Sequence, residues 1–491
     1  MKAVSVEEMR GLERVAMESG ISERELMRKA GRALGMAIGR QYPDQIAAVA
    51  YLGKGHNAGD ALIALGVLRD EFGFEVGVRA GYPVAEMADL TREQWMELGL
   101  DCMLEEGFEK DFPAVPLMLD GLLGIGAKGA LREPLAGLAR EMRRLRDEAG
   151  AVVLAVDLPS GVDPDSGEIH EGAVVADRTY MIGSAKAGLL KAGAANGVGS
   201  LAVVAVEGLA GAGSGMEMVA PQCCGYGKTR RDYDFHKGKA GRVGIVAGSR
   251  EFSGAAVMSA LGAVRAGGGL VTVYARTESC DAIRGRLPLE VMLKACDNPA
   301  VVLDERLDAV VVGPGLGKMD DLFETGLMRL ISETEVPMVI DADGLNLVSR
   351  KGMELSGRHV VTPHPGEFAR LVPELDGVER EEAAVKFVSK TEAVLLLKGA
   401  RTVIAKARVE LRINATGTPA MSNGGQGDLL SGVIGALLGG GMDRLDAASL
   451  GAWLCGCAAE LSESEKGEPT TATDVAGYLG LALRAWRRGE R

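Results

Sequence analysis

Residues 423–432 read NGGQGDLLSG, four glycines around a single aspartate, and run directly into Leu429, Leu430, Val433, Ile434, Leu437 and Leu438 at helical spacing. Gly424, Gly425 and Gly427 let the backbone come close to an anion and turn N–H groups toward it, and the start of a helix adds a favourable field. Asp428 then stands beside an anion hole. A carboxylate placed there can take a proton from a hydroxyl next to a phosphoryl group in transit. The plain alternative is a tight turn whose aspartate caps its own helix, and on these ten residues alone both readings stand.

Outward from this bend, short β-branched runs alternate with amphipathic stretches at 253–266, 320–333 and 379–391. The runs are RVGIVAGS (242–249), GLVTVYA (269–275), DAVVVGPGLG (308–317), VPMVIDADG (336–344), HVVTPHPGE (359–367), AVLLLKGA (393–400) and TVIAK (402–406). Parallel strands joined by crossover helices are the economical topology. Several runs end in Gly, Asp or His, where ligands bind beyond the carboxyl ends of parallel strands. A similar series precedes them: IAAVAYLG (46–53), EVGVRA (75–80), VPLMLD (115–120), AVVLAVD (151–157) and LAVVAVE (201–207). The aperiodic, Gly-rich stretch 208–241 between the two series marks a domain junction.

Composition agrees with two α/β domains. The 491 residues exceed one ordinary core, 47% are hydrophobic and 25% charged, and the 69 glycines are about twice the usual share. A net charge of −13 without basic runs disfavours a nucleic-acid partner. Seven cysteines without a C-x-x-C pair fit a reducing compartment. With neither a signal-peptide pattern nor a membrane-spanning run, a cytoplasmic protein without a membrane partner is expected.

The ordered set HKGKAGRVGIVAGS, GPGLG, TPHPGE, LLLKGARTVI and NGGQGDLLSG, over 236–432, resembles the ribokinase-like fold in its NAD(P)H-hydrate dehydratase branch. The resemblance implies nucleotide-dependent removal of water from a hydrated nicotinamide ring. A route is phosphorylation of the 6-hydroxyl followed by loss of phosphate. Carried over by position, Asp428 is the base and contacts the hydrate together with Ala255, Gly315 and His364. Lys398, Gly399, Ala400, Arg401 and Thr402, with Asn423, Gly424, Gly425, Gln426 and Gly427, hold the adenine nucleotide. The co-substrate is ADP, with ATP as the alternative, accompanied by Mg²⁺. Gln426 stands where a small hydroxyl residue is more usual.

In the first series, GKGHNAGDAL (53–62), DGLLGIGAKGALREP (120–134) and VDLPSGVDPDSG (156–167) are read as loops opening on one sheet edge. The first lacks Rossmann spacing, which weakens a hydride-transfer reading. Asp120, Asp157 and turns around Asn57 and Ser160 supply hard oxygen ligands. These motifs resemble the NAD(P)H-hydrate epimerase domain. By that resemblance Asn57, Asp120 and Ser160 hold potassium. The hydrate lies on His56, Asn57, Ala58, Gly59, Asp60, Gly124, Ile125, Gly126, Ala127, Lys128, Gly129, Ala130 and Asp157, and Asp157 with Lys128 assists interconversion of the R and S forms. His56, Ala58 and Ala61 replace an asparagine and two glycines of the pattern, and a methyl at positive φ costs about 1 kcal/mol or more.

The expected architecture is therefore a Rossmann-like three-layer α/β/α domain at 1–210 and a ribokinase-like α/β domain at 225–491, in a homo-oligomer. Two rivals share these features. One is a ribokinase-like small-molecule kinase fused to a non-catalytic nicotinamide-nucleotide-binding domain, and the other is a sensor that binds such nucleotides without turnover.

Overall fold

A computed structural model describes residues 1–491 apart from 100–102, 106–111, 113, 212, 214, 225–231 and 490–491. The chain divides into two compact units, Met1–Met218 and Val219–Arg491. The first ends at Met218, eight residues past the expected end at 210. The expected start of the second at 225 lies outside the described residues.

In chain order the first unit contains β1 (Ala3–Val4), α1 (Val6–Glu18), α2 (Glu23–Gln41), β2 (Ala47–Leu52), α3 (His56–Phe72), β3 (Glu75–Ala80), α4 (Asp89–Leu98), β4 (Leu117–Gly121), α5 (Leu135–Ala149), β5 (Val153–Val156), β6 (Arg178–Ile182), β7 (Ala185–Lys186), α6 (Ala195–Val198), β8 (Ser200–Val204) and β9 (Met216–Met218). Six strands form a parallel sheet in the order β3-β2-β4-β5-β6-β8, and β1 pairs with β7 apart from it. Burial on both faces explains the continuous apolar runs. Along β2, Ala48, Ala50 and Leu52 join one core layer while Val49 and Tyr51 join the layer on the opposite face. The strand β6, RTYMI, begins with a charge and was not among the sequence-predicted runs.

The second unit continues with β10 (Arg242–Val246), α7 (Ser253–Arg265), β11 (Leu270–Ala275), α8 (Cys280–Arg284), β12 (Val291–Ala295), β13 (Ala309–Val312), α9 (Asp321–Glu333), β14 (Met338–Ile340), α10 (Ala342–Lys351), β15 (His359–Val361), α11 (Pro365–Leu371), α12 (Arg380–Val388), β16 (Val394–Leu397), β17 (Thr402–Ala405), β18 (Leu411–Asn414), α13 (Gln426–Gly439), α14 (Arg444–Lys466) and α15 (Ala472–Arg488). Its strands run in the order β12-β11-β10-β13-β14-β15-β16-β17-β18. The all-parallel expectation holds from β12 to β16, but β16, β17 and β18 pair antiparallel. The cause is the short link Lys398–Arg401, which leaves room for a hairpin turn and none for a crossover helix.

In both sheets the strand order reverses beside the first long strand, between β2 and β4 and between β10 and β13. Such a reversal opens a crevice at the carboxyl edge. Helix α13 is held there by backbone-to-backbone packing on α7. A Cβ on Gly432 would fall 1.8 Å from the Ser259 carbonyl oxygen, and one on Gly262 2.3 Å from that of Leu429. We expect Gly432→Ala to destabilise the second unit by about 1–3 kcal/mol or more, since two helices must part. Gly480→Ala, at an exposed helical position with nothing within 4 Å, should instead stabilise it by about 0.5–1 kcal/mol. Denaturant unfolding of the two variants checks the contrast.

Candidate active sites

Both candidate sites lie on the crevices, each built within its own unit. In the second unit, Asp428 occupies the first turn of α13, whose N-cap is Gly425 at φ +93 with no side-chain cap. The plain reading of Asp428 as a capping residue therefore fails. Its carboxylate makes no hydrogen bond among the described residues, while its carbonyl accepts from the Ser259 hydroxyl at 2.9 Å. Burial first, then the Asp341 charge, push the Asp428 carboxyl up to about 6. That range suits a group that must exchange a proton near neutrality.

Asp341, at the end of β14, is buried and fully engaged. Its Oδ1 accepts from Lys398 Nζ at 2.8 Å and from the Ala342 N–H at 2.9 Å, and its Oδ2 accepts from the Ser431 hydroxyl at 2.5 Å. Glu367 lies 3.8 Å from the same ammonium. Burial works against the Lys398 cation, yet Asp341 and Glu367 hold it above its usual value. A Cβ on Gly427 would come 3.3 Å from Lys398 Nζ, so the glycine-rich turn and the lysine border one space. Asp341 and Ser431 were not singled out from the sequence. The signal for Asp341 was present, since DADG follows an apolar strand.

The other sequence-predicted residues of this unit separate into those on the crevice and those that support it. Ala255 and Gly315 are neighbours, for a Cβ on Gly315 (φ +60) would stand 2.6 Å from that of Ala255. His364 caps α11, its Nδ1 accepting from Gly366 N–H at 3.1 Å and Glu367 N–H at 3.4 Å. The ring proton of the neutral form therefore sits on Nε2. Lys398, Gly399, Ala400 and Arg401 form the hairpin turn before Thr402, whose hydroxyl donates to the Gly399 carbonyl at 3.1 Å. Gly399 rests on the Arg380 guanidinium, which donates to the Leu397 and Lys398 carbonyls. Arg401 is buried and donates toward the Ala415 carbonyl, and burial lowers it to about 10. Asn423 and Gln426 both donate to the Thr470 carbonyl, at 2.7 and 3.2 Å. Gln426 thus ties the turn to the chain before α15, which accounts for a long amide where a small hydroxyl was expected.

In the first unit, the loop expected at 53–62 is helical from His56 onward. Asn57, Ala58, Gly59 and Asp60 belong to the first turns of α3, and Ala58 has an ordinary helical φ, so its methyl is unstrained. The carbonyl-rich turn expected around Asn57 is replaced by helical backbone. Asn57 and Ser160 nevertheless meet at Leu123: Asn57 Nδ2 donates to the Leu123 carbonyl, and the Leu123 N–H donates to Ser160 Oγ, both at 2.9 Å. Ser160 donates its hydroxyl to Asp120 Oδ1 and its N–H to Oδ2, each at 2.7 Å. Burial, opposed by these bonds, raises the Asp120 carboxyl to about 6.

Asp157 follows β5 at φ +68, a left-handed backbone for a non-glycine residue. Its Oδ1 accepts from the Ile182 N–H at 2.8 Å and is ion-paired with Lys186. Lys128, the expected partner, is exposed and makes no hydrogen bond or ion pair among the described residues. It belongs to the stretch Gly124, Ile125, Gly126, Ala127, Lys128, Gly129 and Ala130, in which no helix or strand forms. Lys186 is 1% exposed and also donates to the Ile182 carbonyl at 2.7 Å. Burial raises the carboxyls of Asp60 and Glu13, the first of them strongly, and Asp157 raises both further. Glu13 and Lys186 were missed, because neither lies in a motif and only folding brings α1 and β7 to Asp157.

A stability consequence follows for Asp428. Its folded-state pKa near 6 lies above the ordinary 3.8, so the folded form binds the proton more tightly and loses stability as pH rises between those values. Asp428→Asn should therefore raise the melting temperature above about pH 6 and leave it unchanged below about pH 4. Thermal denaturation across that range checks the sign.

Residues 23–188 match the family described as YjeF-related protein N-terminus, and residues 243–480 match the one described as NAD(P)H-hydrate dehydratase. The chain is 35% identical to the bifunctional NAD(P)H-hydrate repair enzyme Nnr of Gloeobacter violaceus, over 89% of this chain and 88% of that one. It is 34% identical to the protein of the same name from Methanopyrus kandleri, over 98% and 96%. A solved ADP/ATP-dependent NAD(P)H-hydrate dehydratase from Bacillus subtilis, co-crystallised with ATP and Mg²⁺, is 29% identical, covering 52% of this chain and 94% of its own at a TM-score of 0.46. With two crevices built on the motifs of both halves, and full-length relatives at this identity, the chain belongs to the family of bifunctional NAD(P)H-hydrate repair enzymes.

Proposed function

We propose that the protein repairs hydrated NADH and NADPH: the first unit interconverts the R and S hydrates, and the second dehydrates the S form at the expense of ADP. The observation that carries the second activity is the unpartnered Asp428 carboxylate, flanked by the glycine-rich turn and by Lys398. Asp428 takes the proton of the 6-hydroxyl as that oxygen attacks the terminal phosphorus of ADP, whose bond to the bridging oxygen breaks to release AMP. The backbone N–H groups at the start of α13 and the Lys398 ammonium offset the charge on the phosphoryl oxygens. The C6–O bond then breaks with phosphate as leaving group, and loss of the C5 proton restores the ring double bond. Ala255, Gly315 and His364 border the hydrate, while Lys398–Thr402 and Asn423–Gly427 hold the nucleotide. Mg²⁺ accompanies the phosphates, as its preference for phosphate oxygen dictates.

In the first unit the oxygen donors of Asn57, Asp120 and Ser160, linked through Leu123, suit a potassium ion. When bound, that ion supplies fixed positive charge beside the substrate. Asp157 and the stretch 124–130 hold the hydrate together with His56–Asp60. Among the described residues no helix is long and apolar enough to cross a membrane. We place the enzyme in the cytoplasm as a homo-oligomer.

Purified protein given S-NADHX, ADP and Mg²⁺ should regain the near-ultraviolet absorbance of the dihydronicotinamide. No recovery with either ADP or ATP rejects the dehydratase reading, and phosphorylated alcohol accumulating from ATP instead favours the kinase. The rate should fall on the acid side with a midpoint near pH 6, where Asp428 becomes protonated. Asp428→Asn should lower turnover by about 10²–10⁴-fold.

A further inference from the structure

A ring hydroxyl on the carbon next to nitrogen inverts when the ring opens to an aldehyde and closes on the other face. Opening needs a base for the hydroxyl proton and an acid for the ring nitrogen, and closing needs the same two groups with their roles exchanged. Two carboxyls of the first unit, Asp157 and Asp60, are placed differently enough to divide those roles. Asp157, after β5, is bonded to the buried Lys186 of β7, which is itself anchored on the Ile182 carbonyl. Asp60, from α3, has its Oδ1 shut off from solvent with no hydrogen-bond partner. The charged groups facing Asp60 are Asp157, Glu13 of α1 and Lys186, and those facing Glu13 include Arg10 and Glu23. Burial first, then the Asp157 and Glu13 carboxyls, favour the proton-bearing form of the unpartnered Asp60 carboxyl, with the Lys186 cation opposing them.

We infer that Asp60 is the proton donor of the epimerase reaction, with Asp157 as its base and Lys186 as the residue that positions Asp157. The inference rests on the epimerase reading of the first unit. Asp157 accepts the 6-hydroxyl proton while the C6–O bond becomes a carbonyl and the C6–N1 bond breaks, and Asp60 gives its proton to N1. Rotation about C5–C6 presents the other carbonyl face. Asp60 then takes the N1 proton back as nitrogen attacks C6, and Asp157 returns its proton to oxygen. Every proton and electron pair is recovered, and no oxidant or reductant takes part. Lys128 has no role in the transfer.

The test uses the full chain and follows interconversion of R- and S-NADHX by chromatography with no nucleotide present. Asp60→Asn should lower kcat for interconversion by about 10²-fold or more, with KM changed only a few fold. Heat stabilisation of that variant by R-NADHX, equal to wild type, shows that its site is folded. The wild-type rate should fall on the alkaline side as Asp60 loses its proton, and the residual rate of the variant should lack that limb. Lys186→Met should lower kcat with little change in KM, and Lys186→Arg should restore much of it. Asp60→Asn turning over at the wild-type rate, or keeping the alkaline limb, overturns the assignment of Asp60; a fully active Lys186→Met overturns that of Lys186. Wild-type protein that dehydrates S-NADHX yet never interconverts the hydrates overturns the epimerase reading itself, a result distinct from either.

Discussion

Parallel strands joined by crossovers bring every strand back in the same direction, so the segments that follow them crowd one edge of the sheet. Asp120 and Gly121 at the end of β4, Asp157 after β5 and Lys186 after β6 meet on one such edge, and Gly315, Asp341, His364 and Lys398 meet on the other. Helices supply what the strands do not. The first turn of α3 brings Asn57 and Asp60, and the first turn of α13 brings Asp428. The position of α13 depends in turn on glycines at 262 and 432, where any side chain would strike the backbone of the facing helix. The carboxylate proposed as the base is thus placed by a contact whose own chemistry is nil.

The two units solve the same electrostatic problem in similar ways. Each sets a lysine against one carboxylate and leaves a second carboxyl nearby without a partner: Lys398 on Asp341 beside Asp428, and Lys186 on Asp157 beside Asp60. A lone buried lysine or carboxylate would be costly, and the pair offsets that cost. The engaged cation still favours the ionised form of the second carboxyl, but burial and the neighbouring anion outweigh it. They raise its proton affinity, as the value near 6 for Asp428 shows. Non-glycine residues with positive φ occur beside both pairs, at Asp157 and at Ala342, which follows Asp341. Such backbone costs on the order of 1–3 kcal/mol each and persists where the surroundings fix it.

Much of this was legible in the chain. Apolar runs bounded by Gly and Asp located most strands, and helical spacing after NGGQGD located α13 with Asp428 in its first turn, because period and turn chemistry are local properties. Others escaped for equally physical reasons. β6 opens on a charged residue and β12 carries one near its end, and both are short, so their periodicity is weak. The helical start of α3 was taken as a loop because Gly53, Gly55 and Gly59 suggested one, whereas His56 and Ala58 are compatible with helix.

The sequence alone determined the fold class, the two-unit division and the place of Asp428 at the start of a helix, since each follows from residues close together in the chain. Which lysine faces Asp157, which carboxylate occupies Lys398 and which carboxyl stays unpartnered were decided only by tertiary structure. Those outcomes depend on contacts between residues 29 and 57 positions apart, as Lys186 is from Asp157 and Lys398 from Asp341. No local pattern of residues encodes a distance of that kind; it is set when helices and strands pack.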